Sequence, residues 1–425
     1  MLSTEFKAAG HPVYLFSGAD ADSVKTAWEA LHALARSGKV RAAWAVENGL
    51  SEAVMNMSFG NEIGFSAENT GVDWNALYPG AIVAELTEDT ADAVRLGVTT
   101  AEPIVRIGAD SAAVSELLAL NEGVLESVYP SRTAADTTQV PVLSAPAVQR
   151  VAPKIGVAVP KVLIPVFPGT NCDYDTAKAF RAAGAEVRTS VLCNIAGDDV
   201  LRSIAEMKEH IRRAHIFVLA GGFSAGDEPD GSAKFIVNVL NNKDIRDEIH
   251  ALTDRGGLIL GICNGFQALV KSGLLPYGRL GMVTKESPTL FRNDVNRHIS
   301  QIVSTRVATT ASPWLRGFRP GELHSIAVSH GEGKFVVSEE LARELFANGQ
   351  VAFQYADAAG NPTAEAPWNP NGSSYAIEGI ISQNGLILGK MGHTERYENN
   401  LFKNIAGNKQ QSLFANAVAY FRKVQ

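Results

Sequence analysis

The chain has 425 residues, of which 46% are apolar and 20% charged, and carries a net charge of −7. That length accommodates two or three domains with sizeable cores, and the composition is that of an ordinary globular protein. A mildly acidic chain lacks the basic footprint of a nucleic-acid binder, no apolar run is long enough to span a bilayer, and the N-terminus has no basic region ahead of an apolar block. The expectation is a cytoplasmic protein without nucleic-acid or membrane partners.

Residues 1–131 alternate strand and helix patterns. "PVYLFS" (12–17) reads as a strand. After it, Val24, Ala27, Trp28, Leu31, Leu34 and Ala35 recur on one helical face, and Leu50, Val54 and Met57 align on a second helix over 49–57. "AIVAEL" and "PIVRIG" read as strands separated by a short helix around 91–96. The spacing predicts an α+β domain with its helices on one side of a sheet. Residues 132–160 are rich in Pro, Thr, Ala and Val without helical period, and read as a linker or wrapped connector.

From residue 161 to 425 the pattern changes. "KVLIPVF" is almost wholly apolar, as a strand buried on both faces must be. A helix over 174–183, strand "AEVRTSVL", helix 199–212, strand "HIFVLAGG", helices across 232–254, strand "GLILGI" and helix 264–272 follow. This β-α-β-α succession predicts an α/β fold with a doubly wound parallel sheet. After Gly278 the chain is strand-rich and turn-rich, and it closes with a helix over 411–422.

In such a sheet the ligand site lies beyond the carboxyl ends of the strands. Three of those ends carry unusual loops: "FPGTNCDYD" (167–175), "AGGFSAGDEPDG" (220–231) and "GICNG" (261–265). The last has the form of a nucleophile elbow, G-x-S-x-G, with sulfur in place of oxygen. Glycines at its flanks remove side chains that would clash in a strained turn. The turn sets Cys263 at a helix N-terminus, where the dipole and N–H groups favour thiolate and can hold an oxyanion. A buried cysteine beside tight helix–strand packing has the same spacing. Gly221, Gly222 or Phe223 could supply one oxyanion donor, and the Asn264 N–H a second.

Of the other two cysteines, Cys193 reads as packing, and Cys172 either packs or lines a site; three cysteines without a CxxC pair make neither a disulfide framework nor a zinc site. No metal motif and no phosphate-binding lysine loop is present. A thiol nucleophile needs a base, and the base an orienting group. "MGHTERYE" puts His393 and Glu395 two apart after an apolar strand, on one side of an extended chain. "VSHGEGKF" offers His330 and Glu332 at the same spacing, but its glycines suggest a binding loop. His11, His298 and His324 have no constellation around them.

Together, "FPGTNCDYDTAKAFRAAGAEV", "AGGFSAGDEPDGSAKF", "GICNGFQALVKSGLLPYG", "LFRNDVNR", "VSHGEGKF" and "MGHTERYENN" resemble the glutamine amidotransferase domain of the phosphoribosylformylglycinamidine synthase family, over roughly residues 160–425. Residues 1–130 look like the last synthetase subdomain of that family's large single-chain form, and as such are expected to be structural. The resemblance implies a class I amidotransferase with a flavodoxin-like sheet. It implies that Cys263 attacks the side-chain amide of glutamine, that His393 moves protons and that Glu395 orients His393. It implies Gln267, Arg292, Asn293 and His330 as binding residues beside Gly221, Gly222, Phe223 and Asn264. It further implies a partner synthetase region, upstream or on a separate chain, where ATP and Mg act; no cofactor is expected in this chain itself. "HTE" stands where the family commonly has "HPE". A non-catalytic scaffold and a cysteine hydrolase of the same broad fold are the competing readings.

Overall fold

A computed structural model describes residues 2–131, 133, 139–142, 156–226 and 232–422. They form two compact units that divide after Ser131. The stretch read as a linker, 132–160, lies largely outside the described residues.

The first unit runs β1 (Pro12–Phe16), α1 (Ala21–Arg36), β2 (Val40–Ala45), α2 (Leu50–Phe59), β3 (Gly64–Ala67), β4 (Ile82–Leu86), β5 (Val94–Thr100), β6 (Ile104–Ile107), β7 (Asp110–Ala113) and α3 (Val114–Gly123). Its seven strands are ordered β2-β4-β1-β5-β3-β6-β7. Only the β3–β6 pair among them is parallel. Two expectations are corrected here. The stretch 91–96 is not a helix: Val94 begins β5, which pairs with β1 on one side and β3 on the other. Six residues are too few to hold a helix alone, and from Val94 on two neighbouring strands satisfy the backbone instead. The helices also cover both faces of the sheet. Val13 and Leu15 of β1 pack with Leu50, Val54 and Met57 of α2, while Tyr14 and Phe16 pack with Ala27 and Leu31 of α1. Alternate residues of a central strand point to opposite faces, so a strand buried along its whole length requires cover on both.

The second unit opens with β8 (Lys161–Val166), α4 (Asp173–Ala182), β9 (Glu186–Val191), α5 (Asp199–Arg213), β10 (Ile216–Leu219), α6 (Lys234–Leu240), α7 (Lys243–Asp254), β11 (Leu258–Ile262), α8 (Asn264–Ser272) and the short α9 (Leu274–Tyr277). It continues with β12 (Thr289–Phe291), β13 (Ile299–Val307), β14 (Leu323–His330), β15 (Lys334–Val336), α10 (Glu339–Ala347), β16 (Val351–Tyr355), β17 (Ile377–Ile381), β18 (Ile387–Lys390) and α11 (Leu413–Phe421). Nine strands form one sheet, β14-β13-β16-β17-β18-β11-β10-β8-β9, and β12 pairs with β15 apart from it.

The parallel part of the sheet is β9-β8-β10-β11-β18. Numbered by chain order these five strands run 2-1-3-4-5, the flavodoxin-like winding. Helices α4 and α11 pack together, as do α5 and α7. Right-handed crossovers place the helix of the leftward step and those of the rightward steps on opposite faces. Beyond β18 the sheet is antiparallel through β17, β16, β13 and β14, so the sheet is mixed rather than parallel throughout. Burial follows position in the sheet, not strand direction: the central antiparallel strands β16 and β17 are fully buried and the edge strand β9 is mostly exposed. All five residues of β11 are buried, as cover on both faces requires, whereas β14 alternates buried and half-exposed residues.

Strand order reverses between β8 and β10. The crevice at the carboxyl ends of these strands is the place for a ligand in this topology. The loops after β8, β10, β11 and β18 all open there.

Candidate active site

Strand β11 ends at Ile262 and α8 begins at Asn264, so Cys263 is the whole connection. Its backbone sits at φ 52°, ψ −108°, a conformation that non-glycine residues avoid and that costs about 1–3 kcal/mol. The flanking glycines are required by packing. A Cβ on Gly261 would lie 2.6 Å from the Gly265 carbonyl oxygen, and one on Gly265 would run into the Leu219 carbonyl and stand 2.6 Å from its carbon. The Cys263 N–H donates to the Lys390 carbonyl (2.9 Å), which pins the elbow to β18. Its thiol donates to the Ser329 carbonyl at 3.6 Å.

His393 and Glu395 follow β18. His393 Nδ1 and Glu395 Oε1 are 2.6 Å apart, and both side chains are fully buried. Burial penalises charge on the imidazole, but the Glu395 carboxylate and the Cys263 sulfur outweigh it and hold His393 well above its ordinary value. Burial likewise pushes Glu395 up, and the His393 charge outweighs it, so the carboxyl lies below its usual range. The other ring nitrogen, Nε2, has no hydrogen-bond partner. The attraction between Cys263 and His393 therefore acts across a gap, not through a formed bond.

Cys172 stands on the Nδ1 side of the same ring. Its sulfur is 3.9 Å from Nδ1 and accepts from Arg396 Nη2 at 3.4 Å. Gly221 makes this approach possible, because a Cβ there would meet His393 Cε1 at 2.9 Å and Cys172 Sγ at 3.1 Å. Cys172, His393 and Glu395 each present a donor atom within 4.8 Å of the others, a set that could hold a cation. The short Nδ1–Oε1 hydrogen bond and the guanidinium against the sulfur fit a polar cluster better than a metal site. Sequence left Cys172 between packing and site. Its position in the loop after β8, at the point where strand order reverses, is the signal that would have decided it.

A cavity of about 520 Å³ opens over the elbow, and Cys263, Gly222, Phe223, Gln267, Arg292 and His330 line it. Three expected binding residues stand behind the wall instead. Asn293 is buried, with its amide on the His330 and Arg297 carbonyls and its oxygen accepting from Gly333 N–H, so it shapes the loop. Asn264 uses its side chain on Ser224 N–H and Gln267. Gly221 packs on the His393 ring. Phe223 is corrected as an oxyanion donor, since its N–H is donated to the Gly169 carbonyl at 2.8 Å. His298 is corrected in the other direction: it lines the cavity with Arg297, and its Nε2 lies 3.0 Å from Ser329 Oγ.

His330 and Glu332 do not form a pair. The Glu332 carboxylate turns to Ser232, accepting from its N–H at 2.9 Å and its hydroxyl at 2.6 Å. His330 is buried against Asn293 (3.2 Å), and burial, followed by the positive charges of His393 and His298, holds it at about 3. An unfolded histidine titrates near 6.5. Between these values the unfolded chain binds the extra proton, so this residue's contribution to stability is lost as pH falls from 6.5 towards 3, at about 1.4 kcal/mol per pH unit. Urea unfolding between pH 7 and 5 should show a shallower loss of stability in His330→Asn than in wild type. Equal slopes would contradict the assignment.

Residues 159–421 match the family model of the CobB/CobQ-like glutamine amidotransferase domain. The chain is 32% identical over 260 residues to the phosphoribosylformylglycinamidine synthase subunit PurQ of Gloeobacter violaceus, covering 61% of this chain and 99% of that one. It is 36% identical over 253 residues to the subunit of the same name from Chlorobaculum tepidum, covering 59% of this chain and 95% of that one. Among solved structures, PurLQS from Thermotoga maritima aligns with 62% of this chain and 100% of that chain, at 25% identity and a TM-score of 0.45. The chain belongs to the glutamine amidotransferases, and among them to the family of the phosphoribosylformylglycinamidine synthase subunit PurQ. The matched range begins at residue 159, so the first unit lies outside it.

Proposed function

We propose that the second unit hydrolyses glutamine through Cys263, His393 and Glu395 and delivers ammonia to a synthetase component. The observation that carries this reading is the buried His393–Glu395 pair beside a cysteine held at positive φ on the floor of the cavity. Cys263 gives its thiol proton to His393 Nε2 as Sγ attacks the side-chain amide carbon, and the oxygen takes the negative charge. The N-terminus of α8 and the Gly222 amide at the cavity wall stabilise that charge. His393 then gives that proton to the amide nitrogen as the carbonyl reforms, the C–N bond breaks and ammonia leaves. A water then attacks the thioester carbon while His393 takes its proton, the C–S bond breaks as His393 returns that proton to Sγ, and glutamate departs. Glu395 keeps the proton-bearing Nδ1 oriented throughout. Binding of the amide would draw the thiol from the Ser329 carbonyl towards Nε2, closing the gap. Catalytic hydrogen bonds commonly tighten only in the substrate complex. Arg292 and Arg297 at the cavity wall suit the α-carboxylate of an amino acid.

The ammonia would be used in the ATP- and Mg-dependent conversion of formylglycinamide ribonucleotide to formylglycinamidine ribonucleotide, on a synthetase region upstream or on a separate chain. The first unit is assigned a structural part in that synthetase side, as in the single-chain form of the enzyme. Incubating the chain with glutamine, with and without a synthetase component, and measuring glutamate tests the reading. Release that rises with the component is expected; no release in either mixture overturns it and leaves a scaffold.

A further inference from the structure

Lys390 and Glu378 are buried completely, 3.6 Å apart, and Lys390 reaches Thr394, the residue between His393 and Glu395. A charge removed from water is costly, and apolar side chains of the same volume would usually serve packing as well or better. Here the surroundings are built around the charge. The ammonium donates to Thr394 Oγ1 at 2.8 Å and to Gln411 Oε1 at 2.9 Å, with Glu378 Oε1 as its third polar neighbour. Three acceptors thus face a group with three N–H bonds. The Thr394 hydroxyl in turn donates to Gln411 at 2.5 Å, and Glu378 accepts the Gly392 N–H at 2.6 Å. Two glycines make room: a Cβ on Gly379 would lie 2.9 Å from Lys390 Cβ, and one on Gly392 would lie 2.8 Å from Glu378 Oε1. The same residue reaches the nucleophile, because the Lys390 carbonyl accepts the Cys263 N–H.

We propose that Lys390 is a positioning residue, which grips the Thr394 hydroxyl and so fixes the backbone between His393 and Glu395 relative to the Cys263 elbow. The proposal rests on the reading of these three residues as an amidase triad. Thr394 lies between the base and its orienting carboxylate, so its side chain is the one handle from which both can be set at once. Gln411, brought from the segment before α11, closes the clamp.

Thr394→Val tests this without stranding either buried charge, and Thr394→Ser restores the hydroxyl. Two quantities are read in the full-length chain: glutaminase kcat against KM with the synthetase component present, and the downfield proton resonance of the His393 Nδ1–H bond to Glu395, taken without substrate. The expected result for Thr394→Val is a fall in kcat of about tenfold with KM within about twofold, and a lost or broadened resonance. Thr394→Ser should keep both within about twofold of wild type. An unchanged kcat or an unchanged resonance in the valine variant overturns the proposal, as does an equal loss in the serine variant. A wild-type chain that releases no glutamate counts against the amidase reading instead, and the resonance then decides the positioning role alone.

Discussion

Cys263→Ala should lower glutamine hydrolysis by at least about 10,000-fold, because among the described residues lining the cavity none replaces a lost thiol nucleophile. Stability should change little: both residues carry a Cβ, so the strain of the elbow at φ 52° is the same in each, and the one weak bond from the thiol to Ser329 is lost. Thermal unfolding within about 2 °C of wild type would separate loss of chemistry from loss of fold. Cys172→Ala is the companion variant. Its sulfur also touches the His393 ring, but from the Nδ1 side already occupied by Glu395. It should retain activity within about tenfold, since it removes a neighbour of the base and leaves the attacking atom. Steady-state glutamate release by the two variants distinguishes the two thiols.

Gly265→Ala should be the most destabilising single-methyl change in the elbow. The new Cβ would collide with the Leu219 carbonyl, which belongs to β10 and cannot move without disturbing its pairing with β11. Backbone is the obstacle, so no rotamer change relieves it, and the cost should be about 3 kcal/mol or more. The first turn of α8 would have to lift from β10, carrying Cys263 with it. Urea unfolding should show the loss, and glutaminase activity should fall along with it. Gly261→Ala should be milder: part of its clash, 2.5 Å to Leu269 Cδ1, is with the end of a side chain that can turn aside.

The residues that carry the site were readable because each depends on local pattern. The elbow needs glycines at fixed offsets from the cysteine, and the His393–Glu395 pair needs only two-residue spacing in extended chain. The central parallel strands β8, β10 and β11 announced themselves by nearly unbroken apolar runs. What escaped was set by distant contacts. The His-x-Glu spacing in "VSHGEGKF" cannot reveal that Glu332 would leave His330 for Ser232, a hundred residues earlier in the chain. The N–H of Phe223 was spent on Gly169, which only the bridge between the β8 and β10 loops brings near. Strand β16 and helix α10 were not separated from the turn-rich stretch around them, and the start of β5 was read into a helix over 91–96, because so few apolar positions fit both periods. Lys390 and Glu378 gave no signal at all. Charged residues inside "EGIIS" and "GLILGKMGH" look like strand ends until the fold shows both side chains without any exposure.

The most direct test is to trap the covalent intermediate. The chain is mixed with glutamine together with the synthetase component, quenched in acid and digested, and the cysteine-bearing peptides are weighed. A glutamyl mass increment on the Cys263 peptide, absent from Cys263→Ala, is the expected result. An increment on the Cys172 peptide, or glutamate release that persists undiminished in Cys263→Ala, would contradict the account.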